Sequence, residues 1–366
     1  MTNQMSTPYF SSRNLVKLYD LGTFASMVKG ANLEHLVWHN SRVDSLPNTP
    51  NTDLAYQKAI LGSVSRTFAL TIPLLPAAIE KVVGNTYLLC RIVDTIEDAA
   101  DLSPQTKQEL SALFLQAVLE KTPVESFVQP CLEALKNYGN QDELDLIAHT
   151  PTVLRILHTC STSDQQAVSR CVSIMSEGMS HFHGKQNKEG LKDLREFEEY
   201  CYVVAGVVGE LLTTIFSNHS PAFARQIQNQ EGLAIAFGQA LQMTNILKDS
   251  PEDRARGVSW KPAAISQSQL LTIAYEKLQD SLKYILLIPK EDLGMRRFCF
   301  LAFGLAVMTL SKIAQRTEFN HKDEVKLSRN TVIAFYHFTK IAVKSDRAMK
   351  TFFYLFSGNI RSSAHS

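Results

Sequence analysis

"YLLCRIVDTIEDAAD", residues 87–101, sets four acids directly against an apolar run. Tyr87, Arg91, Asp94 and Asp98 stand four, three and four positions apart. At about 3.6 residues per turn, that spacing lays an aromatic hydroxyl, a cation and two carboxylates along one helix face. Leu88, Leu89, Ile92, Val93 and Ile96 fall on the other side and read as core.

Along the rest of the chain, helical periodicity dominates. The spacing predicts helices near 53–62, 77–100, 104–121, 125–138, 163–183, 193–216, 222–249, 266–286, 294–315 and 328–356. Turn chemistry fills the breaks, as in "LPNTPNT" at 46–52, "HTPT" at 149–152 and "NHSP" at 218–221. Alternating β-branched runs are scarce, and there is no internal repeat of the kind that marks a solenoid. The expected architecture is one all-α domain over 51–366, with 1–50 as a looser lead-in.

Composition bounds the function. The 366 residues are 45 % apolar and 20 % charged, as in a globular chain, and the net charge of +1 carries no polyanion-binding signature. Nucleic acid is therefore not an expected partner. Cysteines at 90, 131, 160, 171, 201 and 299 include no CxxC pair and read as buried, reduced thiols. The start, "MTNQMSTPYF", lacks a basic region followed by an apolar one, so no signal peptide is expected. The longest apolar run, "FCFLAFGLAVMTL" at 298–310, falls short of the roughly 20 residues that span a bilayer and reads as a buried helix. "HFHG" at 181–184 puts His181 and His183 two apart, on diverging sides of a helix, and reads as a helix-end pair rather than a metal site.

A second acidic segment follows far downstream. In "QMTNILKDSPED", Gln242, Asn245, Asp249 and Asp253 are spaced three, four and four, again on one face, with Pro251 expected to end or bend the helix. Both segments contain D-x-x-E-D, and in each the middle glutamate points partly aside. Like charges four apart destabilise a helix by a few tenths of a kcal/mol, and near its C-terminus they oppose the macrodipole. A cation relieves both costs. Mg²⁺ takes one or two carboxylates together with phosphate oxygens and water, so two such faces could hold Mg²⁺ around a diphosphate leaving group. A lone D-x-x-E-D is more often a solvated helix end; two copies, each after an apolar face, favour the metal reading.

Four ordered stretches resemble the squalene/phytoene synthase family of head-to-head prenyl transferases: "VSRTF" (64–68), "YLLCRIVDTIED" (87–98), "YCYVVAGVVGELL" (200–212) and "LQMTNILKDSPED" (241–253). The resemblance covers about residues 60–265 and implies an isoprenoid-synthase helical bundle with a central apolar cavity. Carried over by position, it implies that Asp94, Asp98, Asp249 and Asp253 bind Mg²⁺. Ser65, Arg66 and Thr67 would form part of a phosphate-binding flap, and Phe68, Tyr87, Arg91, Gln242, Asn245 and Lys248 would contact substrate. Tyr202 would lie near the reacting carbons. Gly206 and Gly209 leave room for another backbone or a ligand chain. Lys248 stands where the family usually has arginine, and Val258 occupies a second arginine slot, with Arg254 or Arg256 as its substitute.

Within the family the chain looks most like a squalene synthase. That implies two molecules of farnesyl diphosphate joined through presqualene diphosphate and reduced by NADPH. Phe298 and Cys299 match a squalene-synthase helix, and "EVKLSR" (324–329) is similar to a basic NADPH-binding segment, so Asn245, Phe298, Lys326 and Arg329 are the expected cofactor residues. Phe68, Val204, Val207, Leu211, Met243, Phe298 and Phe303 are candidate linings for the substrate tunnel. The alternatives are a dehydrosqualene or phytoene synthase without a reductant, or a non-catalytic assembly factor with the same fold. A cytoplasmic location with peripheral membrane contact, without a C-terminal anchor, is the accompanying expectation.

Overall fold

The computed structural model describes residues 50–65, 67–183, 188–316 and 318–364. The expected lead-in and Arg66 lie outside the described residues. The helices are α1 (Pro50–Val64), α2 (Phe68–Thr71), α3 (Ala77–Asp98), α4 (Pro104–Val118), α5 (Glu125–Ala134), α6 (Gln141–Ala148), α7 (Thr150–His158), α8 (Thr162–His183), α9 (Leu194–Cys201), α10 (Val207–His219), α11 (Pro221–Ile227), α12 (Glu231–Ala255), α13 (Gln267–Leu287), α14 (Leu293–Gln315), α15 (Arg329–Ala342), α16 (Asp346–Phe356) and α17 (Gly358–Ala364). There is no strand among the described residues, and the all-α expectation holds. One apolar core runs from Tyr56 to Ile360.

Several boundaries differ from the sequence pattern, each for a local reason. Two helices, α6 and α7, occupy a stretch where none is predicted: Asn140 caps the first through the Glu143 amide, and Pro151 opens the second. The predicted 222–249 helix is two, broken beside Asn229, whose φ of 60° is left-handed. The predicted 328–356 helix also divides, because Ser345 caps α16 by accepting from the Ala348 amide. Pro251 does not end α12, which continues to Ala255. Proline leaves the Leu247 carbonyl without its usual i+4 donor, and the Ser250 hydroxyl donates to it instead at 3.2 Å.

α14 carries the apolar run at 298–310, buried except at half-buried Leu305. By length and composition alone this helix, like the stretch Leu194–His219, could cross a membrane; 83 % of its most apolar window lies inside the protein. All six cysteines are free, five buried and Cys160 half-buried.

The chain between α9 and α10 widens into a π-helical turn, Tyr202–Gly206. α10 packs against both α3 and α12. A Cβ on Gly209 would sit 1.9 Å from the Ala234 carbonyl oxygen, and one on Gly238 would sit 2.0 Å from that of Ala205. These glycines therefore serve backbone-to-backbone contact with α12, so helix packing is what Gly209 provides. Gln239 donates to the Glu198 carbonyl at 3.0 Å and pins the same crossing.

Candidate active site

The acidic stripe of α3 forms as its spacing predicts. The Tyr87 hydroxyl donates to the Val64 carbonyl at 3.1 Å, and Arg91 donates to the Tyr87 hydroxyl at 2.8 Å. Arg91 lies 3.7 Å from Asp94. Ser65 is buried and its hydroxyl accepts from the Phe68 amide at 3.0 Å, while the Phe68 ring lies 5.2 Å from that of Tyr87. Ser65 and Phe68 thus sit at the head of the stripe, with Thr67 exposed.

On α12, Lys248 approaches both Asn245 (3.3 Å) and Asp249 (3.3 Å), and Lys322 reaches Asp249 at 4.0 Å. Gln242 is half-buried and Asn245 exposed. The helix closes with Arg256 as C-cap and Gly257 in the left-handed region at φ 79°. That turn brings the Arg256 guanidinium onto Asp253 at 2.6 Å. Both middle glutamates do turn aside. Glu252 accepts from the Lys322 amide at 3.0 Å, and Glu97 lines a cleft of about 1050 Å³ with Lys107 and His181.

The two segments share one electrostatic site. Burial raises the pKa of Asp98, opposed first by Arg256 from the other segment and then by Arg91. Burial also raises Asp253, with Arg256 pulling down and Asp249 and Asp98 pushing up. Asp94 is pushed up to about 7, chiefly by burial, against the pull of Arg91 and with the added repulsion of Asp98 and Glu143. Its side chain is still 26 % open. This is the pattern of a carboxylate in a cleft, reachable by a small ion but stripped of bulk water.

The chemistry of the donors fits Mg²⁺ that arrives with substrate oxygens. Among the described residues no three acids converge on one point, so a cage made of protein alone is not the arrangement. Two pairs of carboxylates, three of the four with pKa values raised by burial, do suit ions that take their remaining oxygens from a ligand. Arg91 Nε is buried on α3 with no hydrogen-bond partner among the described residues, and an unpaired buried polar group is costly.

Other residues fall differently. Tyr202 donates to Glu210 at 3.0 Å, and Glu210 also binds Arg170 at 2.8 Å. After burial, Glu210 and Arg170 are the groups that act on its phenol. The tyrosine on which the acids act electrostatically is Tyr200. Burial pushes its phenol well up, followed by Cys201, Asp98, Asp94 and Glu97. Its ring stacks on Trp260 at 4.1 Å. Phe298 is 2 % exposed and meets Phe216 edge-on, so it packs in the core. Val207, Leu211, Met243 and Phe303 are likewise buried, whereas Phe68 and Val204 are half-buried. Lys326 and Arg329 are exposed on the segment that Lys322 ties to α12. His181 is exposed.

Sequence reasoning missed Glu143, buried on α6 and hydrogen-bonded by Tyr138 at 2.7 Å, and it missed Trp260 and Lys322. It left Arg254 and Arg256 open; the guanidinium in the acidic cleft is that of Arg256.

Comparison with known proteins gives the chain a family. The family model described as squalene/phytoene synthase matches residues 61–274. The chain belongs to the squalene/phytoene synthase family. A squalene synthase of Cochliobolus lunatus is 30 % identical over 212 residues, 57 % of this chain and 48 % of that protein. One from Gibberella zeae is 25 % identical over 316 residues, covering 80 % of this chain and 65 % of the relative. The chain spans about half the length of the first curated relatives it matches. Among solved structures, a ligand complex of TcSQS with E5700 superposes with a TM-score of 0.69 at 21 % identity, over 85 % of this chain and 91 % of that one. The isoprenoid-synthase fold is thereby established.

Proposed function

We propose that this family member is a squalene synthase whose catalytic domain spans 51–366. Two molecules of farnesyl diphosphate would be joined head to head, with loss of one diphosphate and a proton, to give presqualene diphosphate. Loss of the second diphosphate, rearrangement and hydride delivery from NADPH would then give squalene and NADP⁺. The observation that carries this reading is that Arg256, in contact with Asp253 on α12, also acts electrostatically on Asp98 of α3, so that the two acidic faces lie in one field.

Asp94, Asp98, Asp249 and Asp253 would hold Mg²⁺. Bound there, it would supply Lewis-acid stabilisation of the departing diphosphate. The chain's own cations complete the site. Arg91, Lys248, Arg256 and Lys322 each lie within 4.0 Å of an aspartate and can turn to the diphosphate oxygens once those carboxylates bind metal. Ser65, Arg66 and Thr67 would close over the phosphates beside Tyr87. Half-buried Phe68 and Val204, with Gln242 and Asn245, would border the prenyl chains. Tyr200, rather than Tyr202, is the phenol in the field of the acids and the better candidate to handle the proton lost in the first condensation.

For NADPH, Arg329 is the first residue of α15, where a cation opposes the helix dipole. An anion at that end, held also by Lys326, would reverse the sign of the interaction, so these two suit a phosphate of the cofactor. Asn245 lies on the helix face that Lys322 approaches through Asp249; Phe298 would act only as core support. A hydrocarbon product implies peripheral contact with a membrane from the cytoplasmic side.

The test is incubation of pure protein with farnesyl diphosphate and Mg²⁺, with and without NADPH, followed by product chromatography. Squalene formed only with NADPH supports the reading. A conjugated triene or a forty-carbon product assigns a dehydrosqualene or phytoene synthase, and no product from folded protein assigns a non-catalytic relative.

A further inference from the structure

Charge is unevenly distributed along the chain. Residues 329–361 contain six basic residues and one acid, Asp346, although the whole chain carries only +1. Asp346 is held by buried Arg296 and by Lys290 at 3.4 Å, so it offsets none of the basic residues at the surface of α15 and α16. Among the described residues, no carboxylate pairs with Lys344, Arg347 or Lys350.

The same segment exposes apolar side chains. Five large hydrophobic residues are exposed in the described structure, and three of them lie here: Ile341 (48 %), Tyr354 (64 %) and Leu355 (53 %). On α16, Ala348, Met349, Phe352 and Phe353 are buried. Arg347, Lys350, Tyr354 and Leu355, spaced three, four and one apart, form the opposite face. At the end of α15, Lys340 and Ile341 are exposed, as is Lys344 in the turn that leads to α16. The Arg361 guanidinium lies 4.2 Å from the centre of the Tyr354 ring and donates to the Tyr354 carbonyl at 3.0 Å.

Basic residues interleaved with exposed tyrosine and aliphatic side chains suit one kind of surface. Lysine and arginine keep their charge at lipid phosphates while their stems lie along the acyl boundary, and tyrosine prefers that boundary. Nucleic acid would use the charges but gain nothing from Ile341 and Leu355. A protein partner would need acids matched to the four cations, whereas an anionic bilayer offers negative charge at any register. We propose that the outer face of α15, α16 and the turn between them, with Lys340, Lys344, Arg347, Lys350, Tyr354 and Leu355, docks on an anionic lipid surface. This deepens the reading above by naming the face through which a hydrocarbon product would be delivered.

The test is sedimentation of the full chain with mixed phosphatidylcholine–phosphatidylglycerol vesicles and with pure phosphatidylcholine vesicles. Binding is expected on the anionic vesicles, and added salt should weaken it. The double variant Lys344→Glu, Lys350→Glu should lower affinity at least ~10-fold. The variant Tyr354→Ser, Leu355→Ser tests the apolar part, with folding of both checked by thermal melts. Asp94→Asn should bind vesicles like the unmodified protein, so failure of the catalytic reading would leave this one standing. Equal binding to neutral vesicles, or indifference to both double variants, overturns it. So does a stable dimer in solution that Tyr354→Ser, Leu355→Ser dissociates, since a second copy would then cover this face.

Discussion

Replacing Asp94 by asparagine should make the metal-free protein more stable while removing its activity. The Asp94 carboxyl is held up at about 7 in the folded state, against an ordinary value of 3.8. Below 3.8 it is neutral in both folded and unfolded chains. As pH rises towards 7, the unfolded chain gains from ionisation and the folded chain does not, so stability falls; above 7 the loss is complete. A tenfold change in proton affinity is about 1.4 kcal/mol, which sets the full loss at about 4 kcal/mol. A side chain that is 26 % open recovers part of this through water and counter-ions, leaving about 2 kcal/mol.

Asparagine cannot ionise and keeps the volume. Arg91 gives up its 3.7 Å approach to a carboxyl that is neutral below about pH 7, and it retains the Tyr87 hydroxyl at 2.8 Å. At about pH 8 the variant should therefore melt about 3 °C higher than the parent, from the entropy of unfolding of a chain this long. The gap should close as pH falls towards 4. Mg²⁺ with diphosphate should raise the melting temperature of the parent but not of the variant. Differential scanning fluorimetry across pH, with and without Mg²⁺ and diphosphate, reads all three effects, and turnover of farnesyl diphosphate is measured alongside. A variant no more stable than the parent at about pH 8, or one equally stabilised by Mg²⁺ and diphosphate, would refute the reasoning.

Further outcomes follow from individual contacts. Arg256→Ala should lower turnover of farnesyl diphosphate and weaken diphosphate binding, measured by calorimetry, whereas Arg254→Ala should leave both near the parent values. Gly209→Ala places a methyl group 1.9 Å from the Ala234 carbonyl and should cost about 3 kcal/mol in a denaturant melt. Gly232→Ala, with open space around it, should be neutral or stabilising by up to about 1 kcal/mol. Tyr200→Phe should change the rate or product of farnesyl diphosphate turnover; Tyr202→Phe should cost about 1 kcal/mol of stability through its bond to Glu210 and spare most activity.

Much of this site is legible in the sequence because helix geometry is local. A spacing of three and four fixes which side chains share a face, and the stripes of α3 and α12 form as their spacing implies. What the spacing cannot give is long-range or depends on a defect. Glu143 reaches the site from a short helix whose pattern carries no trace of α3. Tyr200 and Tyr202 are two apart and so point to different sides of a helix. Which one meets the acids depends on the crossing with α12 and on the π turn that begins at Tyr202. Pro251 breaks a helix by local rule, and one hydroxyl from Ser250 was enough to carry the helix past it. That continuation places Asp253 inside the helix rather than in a loop.

The acidic cleft is unstable by construction, and the rest of the bundle explains how the fold tolerates it. Three of its four aspartates already have a cation nearby: Arg91 for Asp94, Lys248 and Lys322 for Asp249, Arg256 for Asp253. Asp98 shares Arg256 and Arg91. If metal ions take the carboxylates, the same cations become free for an incoming diphosphate. The site is then close to charge balance both empty and filled, which avoids the large desolvation cost of an unpaired buried charge. The stabilising mass lies elsewhere, where Phe300, Phe335 and Phe352 join α14, α15 and α16 with ring centres 4.8–5.7 Å apart. Separating a tightly packed aromatic layer from a strained acidic one lets the protein keep a costly site without losing its fold. It also leaves the outer side of that layer, with its unpaired lysines and exposed tyrosine, as the face with no structural duty of its own.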